Sequence, residues 1–346
     1  MTKQFIGWDV GGAHLKAVLI DCRGVVLQAL QVSCPLWRGL PTLKSAIDTL
    51  LPKLPSEHVK HAITMTGELV DAFDSRSDGV LQIARLMQQN LGDNCYYYAR
   101  ELGFIRFDQV PNNTQRIASA NWYASADFLA AIVEKGLFID VGSTTADFVL
   151  INEATAQVKG FNDAIRLQTS ELVYTGAYRT SIMAVATHVP FDGEWVPVVA
   201  EHFATMADVY RITGDCREAD EMSDTADGKG KSLSQSIIRL ARMIGRDMAD
   251  AENEAWLGLA FYLKHAQISL LKQAVFRHLS RLSAQEDFCF IAAGAGDFLV
   301  KELSQQLGFQ YRHVKELIQA SDSEARDTAA LCFPAFAVAT ILQKNA

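Results

Sequence analysis

Alternating hydrophobic and polar positions near the start of the chain predict a three-stranded antiparallel meander. Its β-rich runs lie at 4–10, 15–21 and 25–33. Gly11-Gly12 separates the first two runs, and a glycine-containing turn at 22–24 separates the second from the third. Near the middle of the chain, the runs 136–141 and 146–152 flank another turn of small residues. We therefore expect two sheets that begin in the same way.

The two meanders are also similar residue by residue. A shift of 131 positions places Asp9 on Asp140 and Gly11 on Gly142, and it aligns Val-Leu-Ile at 18–20 with the same tripeptide at 149–151. Each half then has a short apolar run, a glycine turn and a helical pattern, at 61–73 and at 288–303. The repeat predicts an α/β protein of two domains, 1–130 and 131–346, built on one plan.

The second half is longer than the first because it contains a mostly helical stretch that we interpret as a cap insertion, about 165–280. Within it, the polar segment 213–232 is typical of a mobile loop. A closing helix is predicted over 323–343. Pro334 lies inside that pattern, so we expect the helix to kink or restart there.

Composition and charge limit the classes of protein to which the chain can belong. The chain has 346 residues, 49% of them hydrophobic and 21% charged, with a formal net charge of −8. Lys and Arg are scattered rather than clustered, which disfavours nucleic acid as a partner. No long apolar run indicates a signal peptide or a membrane span, and the six cysteines lack CxxC spacing. We expect reduced thiols and a cytoplasmic protein, and homo-oligomerisation stays open.

The first turn has the residues expected of a phosphate loop. Asp9 ends a strand and is followed by Gly11 and Gly12, whose backbone N–H groups can approach an anion because glycine has no Cβ. Lys16 on the returning strand can neutralise the same anion. A plain hairpin turn explains this pattern equally well when it is taken alone.

The second turn strengthens the phosphate interpretation. Gly142 is followed by the hydroxyls of Ser143, Thr144 and Thr145, which add donors to those of the backbone. Asp140 precedes them as Asp9 precedes the first glycines, and the two carboxylates are predicted to hold Mg²⁺ through water. The competing interpretation is that both aspartates cap strands or satisfy turn N–H groups.

Candidate substrate-binding residues lie in the predicted cap: Tyr178, Arg179, Thr205 and Tyr210. Arg179 can clamp a diphosphate or a substrate carboxylate, although a surface salt bridge is an alternative. Thr205, Asp208 and Tyr210 fall at a predicted helix start, where N-capping and core packing compete with ligand binding. His58 and His61 have no acidic or Cys partner nearby, and we interpret both as solvated surface residues.

The chain resembles the sugar-kinase/actin/Hsp70 superfamily in these motifs. The first meander is similar to its first phosphate loop, DVGSTTAD (140–147) to its second, and AAGAGD (292–297), with Gly294 and Gly296, to its adenosine loop. The resemblance implies two ribonuclease-H-like domains with a helical cap in the second. Alanines 293 and 295 depart from the usual run of glycines.

Longer segments resemble one subgroup. They are SANWYASADFLA (119–130), FNDAIRLQTSELVYTGAYRTS (161–181), AEHFATMADVYRITG (200–214) and TADGKG (225–230). The subgroup is the hydantoinase/oxoprolinase-like proteins linked to tetrahydromethanopterin-dependent one-carbon transfer and methanofuran biosynthesis. It implies a transferase that joins a phenol to an aminomethylfuran diphosphate as an aryl ether and releases pyrophosphate.

The implied reaction needs a base for the phenolic proton, and Glu68 and Asp208 are the candidates. The phenolic acceptor is a glutamyl-tyramine or a glutamyl-tyrosine, and the sequence does not choose between them. We expect the two turns to bind the diphosphate and the cap residues Arg179 and Tyr210 to bind the acceptor. Two other functions stay open. One is an ATP-dependent small-molecule kinase or hydrolase of the same superfamily, and the other is a non-catalytic nucleotide-binding scaffold.

Overall fold

The computed structural model describes residues 3–218, 221, 223–282 and 287–346. Its backbone contacts divide the chain into two compact units. The first unit consists of Met1–Glu134, Ile151–Ala156 and His313–Ala346, and the second of Lys135–Leu150 and Gln157–Arg312. The division differs from the predicted boundaries mainly in the last segment, which belongs to the first unit.

The first unit contains a mixed six-stranded sheet with the strand order β3-β2-β1-β4-β5-β6. The first three strands form the predicted antiparallel meander, and β1, β4 and β5 are parallel to one another. The bounds are β1 Gln4–Val10, β2 His14–Ile20, β3 Val26–Ser33, β4 Val59–Met65, β5 Cys95–Tyr98 and β6 Phe104–Ile105.

Helices pack with their apolar faces against both sides of the central strands of this sheet. Ile6, Trp8 and Val10 on one face of β1 share a hydrophobic core with α1 and α2. The helix α2 begins at a side-chain cap, where Ser75 Oγ accepts from Asp78 N–H, as expected for an N-terminus. The helices that follow these strands are α1 Leu40–Leu50, α2 Arg76–Leu91, α3 Thr114–Ile117 and α4 Asn121–Ala130.

The second unit repeats the plan, as the sequence repeat predicted. Its sheet has the order β10-β8-β7-β13-β14, with the short β9 paired to the end of β8. As in the first sheet, the opening strand β7 pairs in parallel with the strand after the insertion, β13. The bounds are β7 Gly136–Val141, β8 Ala146–Asn152, β9 Thr155–Ala156, β10 Leu172–Val173, β13 Cys289–Ala293 and β14 Gln310–His313.

The predicted cap is helical but includes a β-hairpin that the sequence analysis missed. The hairpin strands are β11 His188–Phe191 and β12 Glu194–Pro197. The helices are α5 Asp163–Thr169, α6 Met206–Thr213, α7 Leu233–Arg242 and α8 Asn253–Leu279. One more helix, α9 Asp297–Leu307, follows β13. Side chains of α6, α8 and the hairpin share one core with β7 and β8. The cap therefore packs as part of the second unit.

The chain ends in two helices, α10 Ser323–Leu331 and α11 Phe333–Lys344, rather than one. Pro334 lies in the first turn of α11, and the two axes are bent by 101°, so the predicted restart at this proline is confirmed. At Gly7 in β1 an added Cβ would lie 1.8 Å from the Ala335 carbonyl oxygen. Glycine is required there because α11 packs directly on the strand backbone.

Within the described ranges, no single helix is long and apolar enough to cross a membrane, and α10 with α11 meets that criterion only as the bent pair. All six cysteines are free thiols, as expected. The interpretation of His61 as a surface residue is wrong. It is buried in β4, and its Nδ1 accepts a hydrogen bond of 3.1 Å from Trp8 Nε1.

The polar segment 213–232 includes residues 219, 220 and 222, which lie outside the described residues. In its described part, side chains are held by ion pairs to helices of the second unit. Asp215 pairs with Lys264 of α8 at 2.9 Å, and Asp227 pairs with Arg239 of α7 at 3.1 Å. Such ion pairs were not expected for this segment, which the sequence predicted to be a mobile loop.

Candidate functional site

The first glycine turn joins β1 to β2 and brings Asp9 and Lys16 side by side. They are direct cross-strand neighbours, and the distance from Lys16 Nζ to Asp9 Oδ2 is 3.9 Å. Asp9 is buried, whereas Lys16 is partly exposed. The Gly11 N–H donates to the His14 carbonyl at 3.0 Å and closes the turn. A carboxylate and an ammonium group therefore lie at the base of a glycine turn, as predicted.

The carboxyl end of β4 supplies two further polar side chains next to this turn. Thr64 lies directly opposite Asp9 in the sheet and is fully buried. Its Oγ1 accepts or donates no hydrogen bond among the described residues. Glu68 follows in the chain, and the segment that carries it is fixed to the turn because Thr66 N–H donates to the Val10 carbonyl at 3.0 Å.

The carboxyl group of Glu68 is buried, whereas most carboxyl groups in proteins are exposed to solvent. It is 1% exposed, and its Oε1 accepts a hydrogen bond of 2.7 Å from Ser119 Oγ. Its Oε2 is buried and has no hydrogen-bond partner among the described residues. Burial raises the pKa of Glu68, which the Ser119 hydroxyl opposes by stabilising the charged form. A carboxyl group whose pKa is raised and that has a vacant acceptor oxygen can take part in proton transfer.

In the second unit, the turn between β7 and β8 has the corresponding form. Gly142 N–H donates to the Thr145 carbonyl at 2.9 Å, the equivalent of the Gly11 hydrogen bond. Ser143 Oγ and Thr144 Oγ1 are 3.5 Å apart and partly exposed, so the hydroxyls are accessible to a ligand. Asp140, at the end of β7, is half-buried.

Arg179 lies against this second turn. Its backbone N–H donates to the Ser143 carbonyl at 2.8 Å, and its Nη1 donates to Thr144 Oγ1 at 3.4 Å. The preceding Gly176 allows the approach, since an added Cβ would lie 2.5 Å from Thr144 N. Arg179 was expected to bind the phenolic acceptor, as a residue of the cap. Its position favours the phosphate.

The third glycine segment, 292–297, packs on the same turn. Gly294 has φ +84°, and an added Cβ would lie 2.4 Å from Asp140 Oδ1. Gly296 N–H donates to the Val141 carbonyl at 2.8 Å. Both glycines are therefore needed for close packing around Asp140, whether or not either contacts a ligand.

Arg217 is a residue near these loops that the sequence analysis missed. Its Nη2 donates to the Ala295 carbonyl at 3.3 Å and pairs with the Asp297 carboxylate. Arg217 lies in the polar segment, 78 positions from Ala295 in the chain. No local motif relates positions so far apart, so sequence spacing could not identify the contact.

Two predicted cap residues, Thr205 and Asp208, make structural contacts of the kind that the sequence left as an alternative to ligand binding. Thr205 caps α6, and its N–H donates to Asp208 Oδ2 at 3.1 Å. Asp208 is buried and accepts from Arg239 Nη2 at 2.6 Å. A carboxylate held by a buried guanidinium is a poor base, so Asp208 is better explained as a structural residue. This corrects its assignment as a catalytic candidate.

Tyr210 and Tyr178 are also buried rather than open to a ligand. The Tyr210 hydroxyl donates to Gln267, whose side-chain amide donates to the Gly176 carbonyl at 2.8 Å. Burial raises the pKa of Tyr210 well above its usual range. Tyr210 thus supports the turn that carries Arg179, and it does so from inside the core.

Magnesium was expected at Asp9 and Asp140, so the carboxylates near the two turns should suit the ligand number of Mg²⁺. Among the described residues, no three His, Cys, Asp or Glu side chains form a ready ligand group. Mg²⁺ that arrives with a phosphate ligand needs only one or two carboxylates, because phosphate oxygens and water complete its shell. A single carboxylate beside each glycine turn fits Mg²⁺ of that kind.

A family model for hydantoinase/oxoprolinase matches residues 60–342, which is most of the chain. The chain belongs to the hydantoinase/oxoprolinase family. This confirms the family predicted from the motifs, and the match includes Glu68, the second glycine turn, the cap and the segment 292–297.

Two curated relatives of this family member have the same name, (4-{4-[2-(gamma-L-glutamylamino)ethyl]phenoxymethyl}furan-2-yl)methanamine synthase. The protein from Methanocaldococcus jannaschii is 26% identical over 346 residues, covering 100% of this chain and 99% of its own. The protein from Methanococcus vannielii is 25% identical over 221 residues, covering 64% of this chain and 96% of its own.

Solved structures support the fold. The nucleotide-free structure of acetone carboxylase is 11% identical, with a TM-score of 0.59, and the match covers 98% of this chain and 70% of that chain. At such low identity the match concerns the fold alone. The match agrees with the similar sheet found in each unit, and so with the predicted sugar-kinase/actin-like α/β fold.

Proposed function

We propose that this family member is a transferase that forms an aryl ether and releases pyrophosphate. Its substrates are an aminomethylfuran diphosphate and the phenol of a glutamyl-tyramine or glutamyl-tyrosine, in methanofuran-type cofactor biosynthesis. The observation that carries the proposal is the similarity of the whole chain to the synthase from Methanocaldococcus jannaschii. That relative's name describes a phenoxymethyl-furan, which is a phenol joined to a furan through one carbon.

The reaction is a substitution at the furfuryl carbon. The bond from that carbon to the diphosphate oxygen breaks, and a bond from the carbon to the phenol oxygen forms. The phenolic proton passes to a base, and both electrons of the broken bond leave with pyrophosphate. The furan ring can share positive charge at the reacting carbon, so stabilising the departing diphosphate is the protein's main task.

Each glycine turn supplies groups suited to that task. In the first unit, Lys16 provides a cation and Gly12 a backbone N–H, whereas the N–H of Gly11 is used to close the turn. In the second unit, Arg179 and the hydroxyls of Ser143, Thr144 and Thr145 provide donors beside Gly142. Guanidinium and ammonium groups bind phosphates more strongly than neutral donors do.

Asp9 and Asp140 are the residues that would hold Mg²⁺ when it arrives with the diphosphate. Bound Mg²⁺ would neutralise part of the charge that develops on the leaving oxygen. The two carboxylates would offset part of the charge of the ion. Asp9 also fixes the ammonium group of Lys16 through their contact of 3.9 Å.

Glu68 is the better of the two candidate bases because Asp208 is held by Arg239. A free phenol has a pKa near 10, so an ordinary carboxylate is a weak base toward it. The raised pKa of Glu68 reduces that mismatch. The buried Oε2 would accept the proton.

The test is mass spectrometry of a reaction containing the purified protein, an aminomethylfuran diphosphate and either glutamyl-tyramine or glutamyl-tyrosine. The expected product has the mass of the aryl ether, formed with one equivalent of pyrophosphate and abolished by EDTA. Hydrolysis of ATP without need of the furan diphosphate would instead support the kinase or hydrolase alternative. Tight nucleotide binding without any product would support the scaffold alternative.

Lys16→Met gives the matched test of the leaving-group contact. We expect kcat to fall by about 10²-fold or more with the fold unchanged, as for a group that stabilises charge in the transition state. The control is Lys44→Met, because Lys44 is exposed on α1 and pairs only with Asp48 one turn away. Equal kinetics for the two variants would remove Lys16 from the site.

A further inference from the structure

We propose that Ser119 is a positioning residue that holds Glu68 for proton transfer and keeps one of its carboxyl oxygens available to substrate. The proposal rests on the proposed function, because it assigns Glu68 the phenolic proton. Ser119 precedes α4 and is 51 positions from Glu68 in the chain. Nothing in the spacing of the sequence motifs relates the two.

The hydrogen bond between them is enclosed. Ser119 is 4% exposed and Glu68 is 1% exposed, and the distance from Oγ to Oε1 is 2.7 Å. Because a hydroxyl has one proton to donate, the bond fixes Oε1 and leaves Oε2 without a partner among the described residues. A buried acceptor without a donor is costly in a stable core, and its retention points to a ligand that supplies the donor.

Ser119 makes this bond from an unfavourable backbone conformation. Its φ is +48°, in the left-handed region that non-glycine residues seldom adopt. Residues held in this region tend to occur where the surrounding structure needs one particular side-chain direction. Arg100, which also has a positive φ, donates to the adjacent Ala118 carbonyl at 2.6 Å and holds the segment in place.

The backbone of Glu68 is fixed from two other sides, so Ser119 controls the remaining freedom of the side chain. On one side, Gly79 of α2 packs so closely that an added Cβ would lie 2.8 Å from the Glu68 carbonyl oxygen. On the other, a Cβ on Gly67 would lie 3.2 Å from the Gly11 carbonyl oxygen in the first glycine turn. Glu68 is therefore held next to the residues proposed to bind the diphosphate.

The pKa of Glu68 reflects burial, hydrogen bonding and one charged group, Arg76. Arg76 at the start of α2 favours the carboxylate, as does the Ser119 hydroxyl, while burial favours the neutral acid and has the largest effect. Arg100 lies on the Ser119 side, and Asp9 and Lys16 belong to the strands joined by the first turn. Removing the Ser119 hydroxyl leaves burial less opposed, so the pKa of Glu68 rises further.

The kinetic experiment compares Ser119→Ala with Ser119→Gly. Both remove the hydroxyl, but glycine also relieves the left-handed strain, so an effect of strain alone would separate them. We expect both variants to lower kcat by about tenfold, with little change in KM, and to move the acidic limb of the pH–rate profile to higher pH. Ser125→Ala is the control, because Ser125 is a buried serine in the same unit that donates only to the Asn121 carbonyl.

A double-mutant cycle links the effect to Glu68. In the background of Glu68→Gln, which lacks the titrating carboxyl, Ser119→Ala should cause no further loss of kcat. An additive loss, or an unchanged pH–rate profile in both single variants, would overturn the positioning role.

A measurement without substrate separates this proposal from the proposed function. The ¹³C NMR signal of the Glu68 carboxyl, assigned by its loss in Glu68→Gln, should titrate at higher pH in Ser119→Ala and Ser119→Gly than in the wild type. If the wild type forms no aryl ether but the signal moves, the proposed function fails and the contact with Ser119 stands. If the signal does not move, the positioning role fails regardless of activity.

Discussion

Gly294 shows how a single backbone angle determines the surroundings of Asp140. At φ +84° the chain passes within van der Waals range of the carboxylate, where any side chain would collide. In the sequence, alanines 293 and 295 depart from the usual run of glycines. The structure shows that the two remaining glycines, Gly294 and Gly296, are the ones that touch the β7 turn.

Arg179→Ala should weaken inhibition by pyrophosphate by tenfold or more, because a charge-assisted hydrogen bond to phosphate contributes about 1.5–3 kcal/mol. The KM of the phenolic acceptor should stay near its wild-type value. This reverses the expectation that Arg179 belongs with the acceptor, since its guanidinium donates to Thr144 of the glycine turn. The measurement is a steady-state matrix of both substrates with pyrophosphate titrated in.

Arg277→Ala is the matched control for that matrix. Arg277 is exposed in the same unit and also donates to a hydroxyl, that of Ser170, at 3.3 Å. A raised acceptor KM in Arg179→Ala with normal pyrophosphate inhibition would return Arg179 to the acceptor site.

The site could be predicted from the sequence only where a motif is local. Asp9, Lys16 and the glycines of the first turn lie within a few positions of each other, as do Asp140 and Gly142 in the second, and hairpin geometry brings such residues together. Ser119 and Arg217 could not be found in this way because their partners lie 51 and 78 positions away. For Asp208 and Tyr210 the sequence left ligand binding and core packing as alternatives, because polar side chains in a helix start look the same in the sequence whether they face solvent or a buried partner.

Among the elements, α6 and α7 are joined by buried charges rather than by apolar contacts alone. Asp208 of α6 accepts from both Arg239 of α7 and Arg211, and Arg211 also pairs with Glu221. Lys231 pairs with the same Glu221 at 2.5 Å. The polar segment is thus tied to the helices that flank it.

Asp208→Asn should destabilise the protein by about 3 kcal/mol, because the fully buried guanidinium of Arg239 loses the nearer of its two carboxylate partners and keeps only Asp227. The measurement is the free energy of unfolding in urea. Glu194→Gln, an equally conservative change at an exposed position of β12, should shift it by less than about 0.5 kcal/mol. Similar values for the two variants would show that the buried pair contributes little.

Element prediction succeeded where the hydrophobic period was clear and failed where a short signal was overlooked. Both meanders and the restart at Pro334 followed from alternation and from proline geometry. The hairpin β11–β12 has a usable signal, since Asp192-Gly193 lies between two short strands and both residues have positive φ. It was hidden by the helical pattern of the surrounding cap.

At the scale of the whole molecule, each unit contains one buried histidine that is neutral in the fold. Burial lowers the pKa of His61 in the first unit to about 4, and that of His278 in the second unit to about 4. His278 Nε2 lies 3.0 Å from the Ser170 carbonyl oxygen, so this nitrogen carries the proton. Neither ring can take up a second proton without loss of packing or of a hydrogen bond.

Both histidines should make the protein sensitive to acid. In the unfolded chain a histidine has a pKa near 6.5, so between pH 6.5 and 4 the unfolded state binds protons that the folded state does not. The free energy of unfolding should therefore fall as the pH falls through this window, by up to about 1.4 kcal/mol per pH unit for each histidine. Urea unfolding at a series of pH values measures the slope.

His61→Gln and His278→Gln should each reduce that slope, and His202→Gln, the same substitution at an exposed position, is the control. Glutamine at position 61 keeps an acceptor for the Trp8 indole. A slope that is the same in all three variants would mean that carboxyl groups, and not these histidines, cause the acid sensitivity.

The packing of α11 on Gly7 has a consequence for the order in which the polypeptide is completed during translation. Strand β1 leaves the ribosome long before the helix that covers one of its faces, because all the other strands and helices lie between them in the chain. The segments of the second unit, which extend to Arg312, are also synthesised before α11. The face of β1 that α11 covers therefore stays without this helix until the rest of both sheets has been made.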